Sequence, residues 1–99
     1  MNVFFSVRVN NVPFEMDRSE IATLFSRYGP LRPSRTKDDH NPLMMYIDGQ
    51  HKGYAFIDFA RPEDAAKVIG EKIEIWCHGR LLKIGRHDTM EPHLMYENE

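Results

Sequence analysis

The 99-residue sequence lacks the features of several protein classes. Its single cysteine, Cys77, cannot form an internal disulfide, which suits a reducing compartment such as the cytoplasm or the nucleus. No apolar run approaches the roughly 20 residues of a transmembrane helix, and no basic region precedes a long apolar stretch as in a secretory signal. We therefore expect neither a signal peptide nor a membrane partner.

Motifs for catalysis and metal binding are also missing. The sequence has no Gly-rich phosphate loop, no nucleophile elbow and no His-Glu-x-x-His, so we expect no enzymatic activity from the domain itself, whatever a larger parent protein does. The chain has 5 histidines, but no pair has the close spacing of a structural zinc site, and one thiol is too few. We expect exposed histidines, no metal and no cofactor.

The net charge of −2 is unevenly distributed. Residues 87–99 contain four acidic side chains and no Lys or Arg. Without them the chain has 13 basic and 11 acidic residues, net +2, and several of the basic ones lie on or beside predicted strands. This modest positive patch predicts weak nucleic-acid binding with a shallow salt dependence. We expect one domain over residues 1–86 and an acidic tail or linker over residues 87–99.

The most informative segment is the octapeptide Lys52-Gly53-Tyr54-Ala55-Phe56-Ile57-Asp58-Phe59. In a strand, successive side chains point to opposite faces, so its fourth, sixth and eighth positions, all apolar, form one core face. These inward residues are Ala55, Ile57 and Phe59. The other face carries Tyr54 and Phe56 beside Lys52, and one explanation is a stacking platform for nucleic-acid bases with a cation for phosphate. The alternative is that a helix or a partner chain covers the two rings.

The octapeptide resembles the longer signature of the RNA recognition motif: basic, Gly, aromatic, small, aromatic, aliphatic, any residue, aromatic. All seven specified positions match, and the resemblance covers roughly residues 4–86. The family's shorter signature corresponds to Val7-Arg8-Val9-Asn10-Asn11-Val12, whose second position is normally aromatic and is here Arg8. A guanidinium can stack on a base, pair with phosphate or contact the rings. It can also pair with Asp58 and close the platform, so both uses stay open.

Further patterns follow the β-α-β-β-α-β order of that family. Apolar and polar residues alternate over residues 4–10, which predicts a first strand. An Asp17 cap and an apolar stripe predict a helix up to Gly29. Residues 31–37 include a proline, so they predict an edge strand. The run 43–47 followed by Asp48-Gly49 predicts a β-extension. Pro62 opens a second helix, Trp76 is expected to pack on the core, and residues 79–84 predict the last strand.

We therefore predict an α+β fold, a ferredoxin-like sandwich with a four-stranded antiparallel sheet in the order 4-1-3-2 and two helices on one face. The resemblance implies that this monomeric domain binds single-stranded RNA on the open face. It implies that rings stack bases, Lys and Arg hold phosphates, and Arg8 replaces the missing ring. The candidate RNA-binding residues are Arg8, Asn10, Lys52, Tyr54, Phe56, Lys83 and Arg86.

Two alternatives stay open. Some family members bind proteins through the back helices, helped by an Arg-x-Phe element, and Arg80-Leu81-Leu82 stands near that place with Leu where Phe would be. The tail could be a linker, could cover the sheet, or could grip RNA. Because it runs into Glu91-Pro92, it also resembles the RNA-recognition-like head of cellular RNA-dependent RNA polymerases in gene silencing. A front domain of a larger RNA-processing or silencing protein is therefore a further expectation.

Overall fold

A computed structural model of the chain describes residues 5–87. Two α-helices and seven short strands form in this part. In chain order they are β1 (Ser6–Asn10), α1 (Arg18–Phe25), β2 (Tyr46–Ile47), β3 (Gln50–His51), β4 (Tyr54–Asp58), α2 (Pro62–Gly70), β5 (Trp76–Cys77), β6 (Arg80–Leu81) and β7 (Lys83–Arg86). A 3-10 turn, Ser26–Tyr28, continues α1. Neither α-helix of residues 5–87 has the length and apolar character needed to cross a membrane.

The central sheet contains three antiparallel strands in the order β4-β1-β7. The strand pairs β2–β3 and β5–β6 form two separate hairpins. Their turns, Asp48-Gly49 and His78-Gly79, each have two consecutive residues with positive φ, which is the conformation of a two-residue type I′ turn. The predicted β-extension at Asp48-Gly49 is thus confirmed as the β2–β3 hairpin.

The core lies between the central sheet and the two helices. Alternate residues of the two longest strands point into it and are fully buried: Val7, Val9, Ala55 and Ile57. The helices contribute Ile21, Phe25, Ala65 and Val68 to the same apolar cluster. Both helices therefore cover one face of the sheet and leave the other open, and the predicted ferredoxin-like α+β class is confirmed.

Local sequence signals explain where the helices begin. The Asp17 side chain accepts a hydrogen bond from the Glu20 N–H at 2.9 Å, so the predicted cap of α1 is confirmed. The Glu20 carboxylate does not return to the cap; it pairs with Nε2 of His78 at 3.1 Å and ties α1 to the β5–β6 turn. Pro62 starts α2, and acidic residues occupy its first turn, where they favour the helix dipole.

The prediction of a regular edge strand over residues 31–37 was wrong. Only Leu31 of that segment forms a β-bridge, to Phe59, and a second isolated bridge joins Leu43 to Phe56. Pro33 cannot donate to a ladder, which prevents a continuous pairing here. The fourth position of the sheet is therefore held by two single bridges at the edge of β4.

The Asn41 side chain completes this edge. Its Nδ2 donates to the Asp58 carbonyl at 2.9 Å, and its Oδ1 accepts from the Asp58 N–H at 2.9 Å. The same Nδ2 also donates to the Arg32 carbonyl at 2.8 Å. One side-chain amide thus does what the peptide group of a neighbouring strand does, and it gives the Asp58 N–H its acceptor.

The C-terminal segment also differs from the prediction. The expected strand over residues 79–84 is divided at Leu82, which is buried in the core, and pairing continues to Arg86. Trp76 does not pack on the core; its side chain is 65% exposed. It begins the hairpin strand β5, and its neighbours Ile75 and Cys77 take the two inward positions.

Candidate nucleic-acid interface

The open face of the sheet is arranged in rows of directly opposed residues. In antiparallel strands such residues point to the same face of the sheet. One row crosses the three strands as Phe56, Arg8 and Gly85. The next row is Tyr54, Asn10 and Lys83. Five predicted residues are therefore brought together here, and we call these two rows the open-face site.

The two aromatic rings of the open-face site are adjacent and partly exposed. The ring centroids of Tyr54 and Phe56 are 5.7 Å apart, with planes inclined by 66°. This is an edge-to-face pair, an arrangement that the quadrupoles of aromatic rings favour. The edge of one ring therefore meets the face of the other, so they do not form two parallel stacking surfaces.

A third ring, that of His87, contacts Phe56. The centroids of the two rings are 4.5 Å apart and their planes are inclined by 42°. The His87 N–H donates to the Ser6 carbonyl at 3.2 Å, which holds this residue beside β1. His87 is the first residue of the predicted tail, so the tail's start partly covers Phe56. The rest of the predicted tail, residues 88–99, lies outside the described residues.

Arg8 occupies the centre of the open-face site and is exposed. Its Nη2 is 3.3 Å from the position that a β-carbon would take on Gly85, so the guanidinium lies over the glycine. Within residues 5–87 this guanidinium makes no hydrogen bond, ion pair or cation–π contact. The alternative in which Arg8 pairs with Asp58 was therefore wrong, and the charge faces solvent.

Asp58 has other partners. It accepts a hydrogen bond from the Ser6 hydroxyl and pairs with Nη2 of Arg32 at 3.1 Å. Arg32 also pairs with Asp39 through Nη1 at 2.8 Å. The Asp39 carboxylate also accepts a hydrogen bond from the backbone N–H of Arg35 at 2.8 Å. The cations of this segment are thus largely neutralised by two carboxylates, which reduces the positive patch expected from the sequence.

The ion cluster shifts the pKa of two of its members. The hydrogen bond from the Arg32 guanidinium, followed by the Arg35 N–H, holds the pKa of Asp39 well below its usual range. The hydrogen bond to Asp39 in turn raises the pKa of Arg32. Asp39 therefore stays ionised at a pH where a free aspartate would already be protonated.

The predicted phosphate-binding residues are not all on the same surface. Lys83 lies opposite Asn10 in the open-face site and is exposed. Lys52 lies two residues before β4, next to Gly53, and lines a surface cavity with Phe14. Arg86 lies opposite Val7, whose side chain is buried in the core, so the register puts Arg86 on the other side of the strand.

Sequence reasoning missed two residues of this face, Gly85 and Leu43, and proposed His87 only as a possible contact of the tail with RNA. Leu43 bridges Phe56 from outside, so its side chain, 51% exposed, extends the row across the sheet edge. Leu43 begins the run that predicts a β-extension, but nothing in the sequence indicated its bridge to Phe56. Gly85 did carry a signal, since a glycine inside a strand often marks a close approach.

The element expected to favour a protein partner is engaged within the fold. Leu82 is buried in the core, and Arg80 donates through Nη1 to Oδ1 of Asn11 at 2.8 Å.

Among residues 5–87, no group of three or more His, Cys, Asp or Glu side chains could hold a metal ion. Burial raises the pKa of the Cys77 thiol, which makes it a poor nucleophile.

Comparison with known proteins identifies the family. The RNA recognition motif model matches residues 7–83, so the chain belongs to the RNA recognition motif family. It is 38% identical over 85 residues to Probable RNA-binding protein 19 of Mus musculus, covering 86% of this chain and 8% of that protein. It is 31% identical over 80 residues to Deleted in azoospermia-like of Homo sapiens, covering 81% of this chain and 24% of that protein. The chain thus spans a small part of these curated relatives.

A solved structure of the same family gives a similar result. The Rna15 RRM with bound RNA (GU) superimposes with a TM-score of 0.70 at 26% sequence identity. The match covers 95% of this chain and 97% of that one. The two domains therefore share their fold over nearly the whole length of both chains.

Proposed function

We propose that this domain binds single-stranded RNA across the open face of its sheet. The observation that carries the proposal is the open-face site itself, which joins two aromatic rings, a guanidinium and a lysine in two adjoining rows. Rings stack with any base, and cations beside them neutralise phosphates. Membership of the family and the RNA (GU) bound by the Rna15 RRM support this assignment.

Each residue has a role that follows from its position. Tyr54 and Phe56 stack bases, and Asn10 between them and Lys83 offers an amide for a base edge. Arg8 supplies at the centre a planar cation that stacks or pairs with phosphate. Lys83 and Lys52 hold phosphates at opposite sides of the site. Arg86 stays a predicted phosphate contact, although the strand register points it away from this face.

The test is a double variant, Tyr54→Ala with Phe56→Ala, titrated with the hexanucleotide GUGUGU and with a random hexanucleotide pool. We expect binding to weaken by about 2–6 kcal/mol if both rings stack, with the fold intact because neither ring lies in the core. Trp76→Ala removes a more exposed ring outside the site and is the control. Unchanged affinity in a folded double variant would rule out the platform.

A second measurement locates the contact. Amide chemical shifts should move at Arg8, Tyr54 and Phe56 on addition of RNA, while α1 and α2 stay unchanged. Shifts confined to the helices on addition of a protein would instead support the alternative, a protein-interaction module of the same fold. We infer a monomeric domain that meets RNA in the cytoplasm or the nucleus. Its place in a larger RNA-processing or silencing protein stays a prediction, because the tail residues that suggest it lie outside the described part.

A further inference from the structure

A cavity of about 170 Å³ opens at the N-terminal end of β4, beside the open-face site. Phe14 from the β1–α1 loop and Ile47 from the β2–β3 hairpin form its apolar walls, and both side chains are more than half exposed. Its remaining lining is Gln50, His51 and Lys52. The volume is below the roughly 300–1,000 Å³ of clefts that hold a whole small molecule, so it suits one flat ring.

The floor of the cavity is fixed in place. His51 is 3% exposed, and its two ring nitrogens are both occupied. Nδ1 accepts from the Gly53 N–H at 2.9 Å, so Nε2 carries the proton and donates to the Pro13 carbonyl at 3.0 Å. The Phe14 ring lies 5.6 Å from this imidazole, inclined by 37°. The loop and the hairpin are therefore held at a set separation.

We infer that this cavity is a further nucleotide subsite, which takes the base that follows or precedes the one on Tyr54 and places its phosphate on Lys52. The inference rests on the proposed function, since both nucleotides belong to one RNA strand. The lining combines what base recognition needs: an aromatic face for stacking, the Gln50 amide for a base edge, and a cation for phosphate.

Continuity with the open-face site favours RNA over a protein side chain as the occupant. Lys52 and Tyr54 are separated only by Gly53, so an RNA strand bound at Tyr54 reaches the cavity without crossing other elements of the fold. Lys52 is exposed and makes no ion pair among the described residues. Two acids, Glu15 and Asp48, stand in the same two loops but do not line the cavity. The cavity therefore presents a positive rim to a phosphate.

The test measures how removal of the Phe14 ring changes the affinity for a short and for a longer RNA. A trinucleotide pool matches the two or three bases that the sheet of this family stacks, whereas a hexanucleotide pool also reaches the cavity. Phe14→Ala should weaken hexanucleotide binding by about 5- to 150-fold, the equivalent of one stacked base, and leave trinucleotide binding unchanged. Phe14→Trp should retain hexanucleotide binding, and Phe14→Leu should lose it, because only the former keeps a stacking face. Trp76→Ala, on the other hairpin, is the control and should change neither.

Each other outcome has a definite meaning. If Tyr54→Ala weakens binding and Phe14→Ala does not affect the hexanucleotide, the subsite is overturned and the proposed function stands. Equal weakening of both lengths by Phe14→Ala also overturns a separate subsite. Full binding by Phe14→Leu means that the wall contributes apolar area alone, as for a protein side chain, and overturns base stacking there. A wild-type chain that binds neither pool overturns both proposals together.

Discussion

The guanidinium of Arg8 lies over Gly85, with Nη2 3.3 Å from the place of the missing β-carbon. Because Gly85 has no side chain, β7 leaves room there for the guanidinium. Members of the family normally have an aromatic ring where this chain has Arg8. The position therefore keeps a flat π-system at the centre of the face and adds a positive charge.

Replacement of Arg8 tests whether that group binds RNA. Arg8→Ala should weaken binding by about 1–3 kcal/mol, as for a lost stacking partner, and should not change stability because the side chain is exposed. Arg8→Lys keeps the charge without the plane, so it should restore less than half of the loss. Fluorescence anisotropy at two salt concentrations measures both. Wild-type affinity in Arg8→Ala would contradict any contact of this residue with RNA.

The His87–Phe56 contact predicts competition between the tail's first residue and a base. A base that stacks on Phe56 must replace the imidazole, and an aromatic pair is worth about 0.5–1.5 kcal/mol. His87→Ala should therefore tighten RNA binding by about 2- to 10-fold. In a Phe56→Ala background the same change should have no effect, which a double-mutant cycle measures. Weaker binding by His87→Ala alone would show instead that the imidazole grips RNA.

The Asn41 amide should stabilise the edge of the sheet. Asn41→Ala leaves the Asp58 N–H without its partner, and a partly buried backbone group in that state costs about 1–3 kcal/mol. We expect a loss of that size in the free energy of unfolding by urea. Gln50→Ala, which removes an exposed amide from β3, is the control and should have little effect. Equal stability of the two variants would contradict the role given to Asn41.

The ion cluster around Asp39 predicts how stability depends on pH. Because folding lowers the pKa of this carboxylate, its contribution is present above its unfolded pKa of about 3.8 and is lost as the pH falls below that value. Asp39→Asn should lower the midpoint of thermal unfolding at pH 7. The midpoints at pH 7 and pH 3 should also differ less in this variant than in the wild type. Asp38→Asn, a neighbour without an ion pair among residues 5–87, should do neither. An unchanged acid dependence in Asp39→Asn would contradict the assignment.

Local patterns predicted the parts of the fold that local physics decides. Alternation placed Ile57 in the core and Tyr54 on the open face, and an Asp-Gly pair predicted the β2–β3 hairpin. The cap at Asp17 marked the start of α1. Each of these features depends on residues within a few positions of one another, so the sequence contains the whole signal.

The features that were missed depend on distant partners. Nothing near Asn41 indicates that its side chain pairs with Asp58, 17 residues later. Trp76 pairs with Leu81 of β6 and points outward, because its neighbours Ile75 and Cys77 take the inward positions against the core. Arg86 is a different case: with Leu82 and Ile84 inward, alternation already put Arg86 on the inward side. The charge of Arg86 indicated a phosphate contact, whereas its position in the strand indicated the inward side.

The closure of β4 by Asn41 and the bridge at Leu43 has a consequence for association between chains. An uncovered strand edge is a template that recruits a strand from another molecule, in aggregation or in β-augmentation. The backbone groups of Phe56 and Asp58 on this edge are already bonded, to Leu43 at 2.8 and 2.9 Å and to Asn41. An added strand would have to break these bonds first. The edge beside Tyr54 and Phe56 is therefore protected from the addition of a strand, which leaves ligand binding to the open face of the sheet.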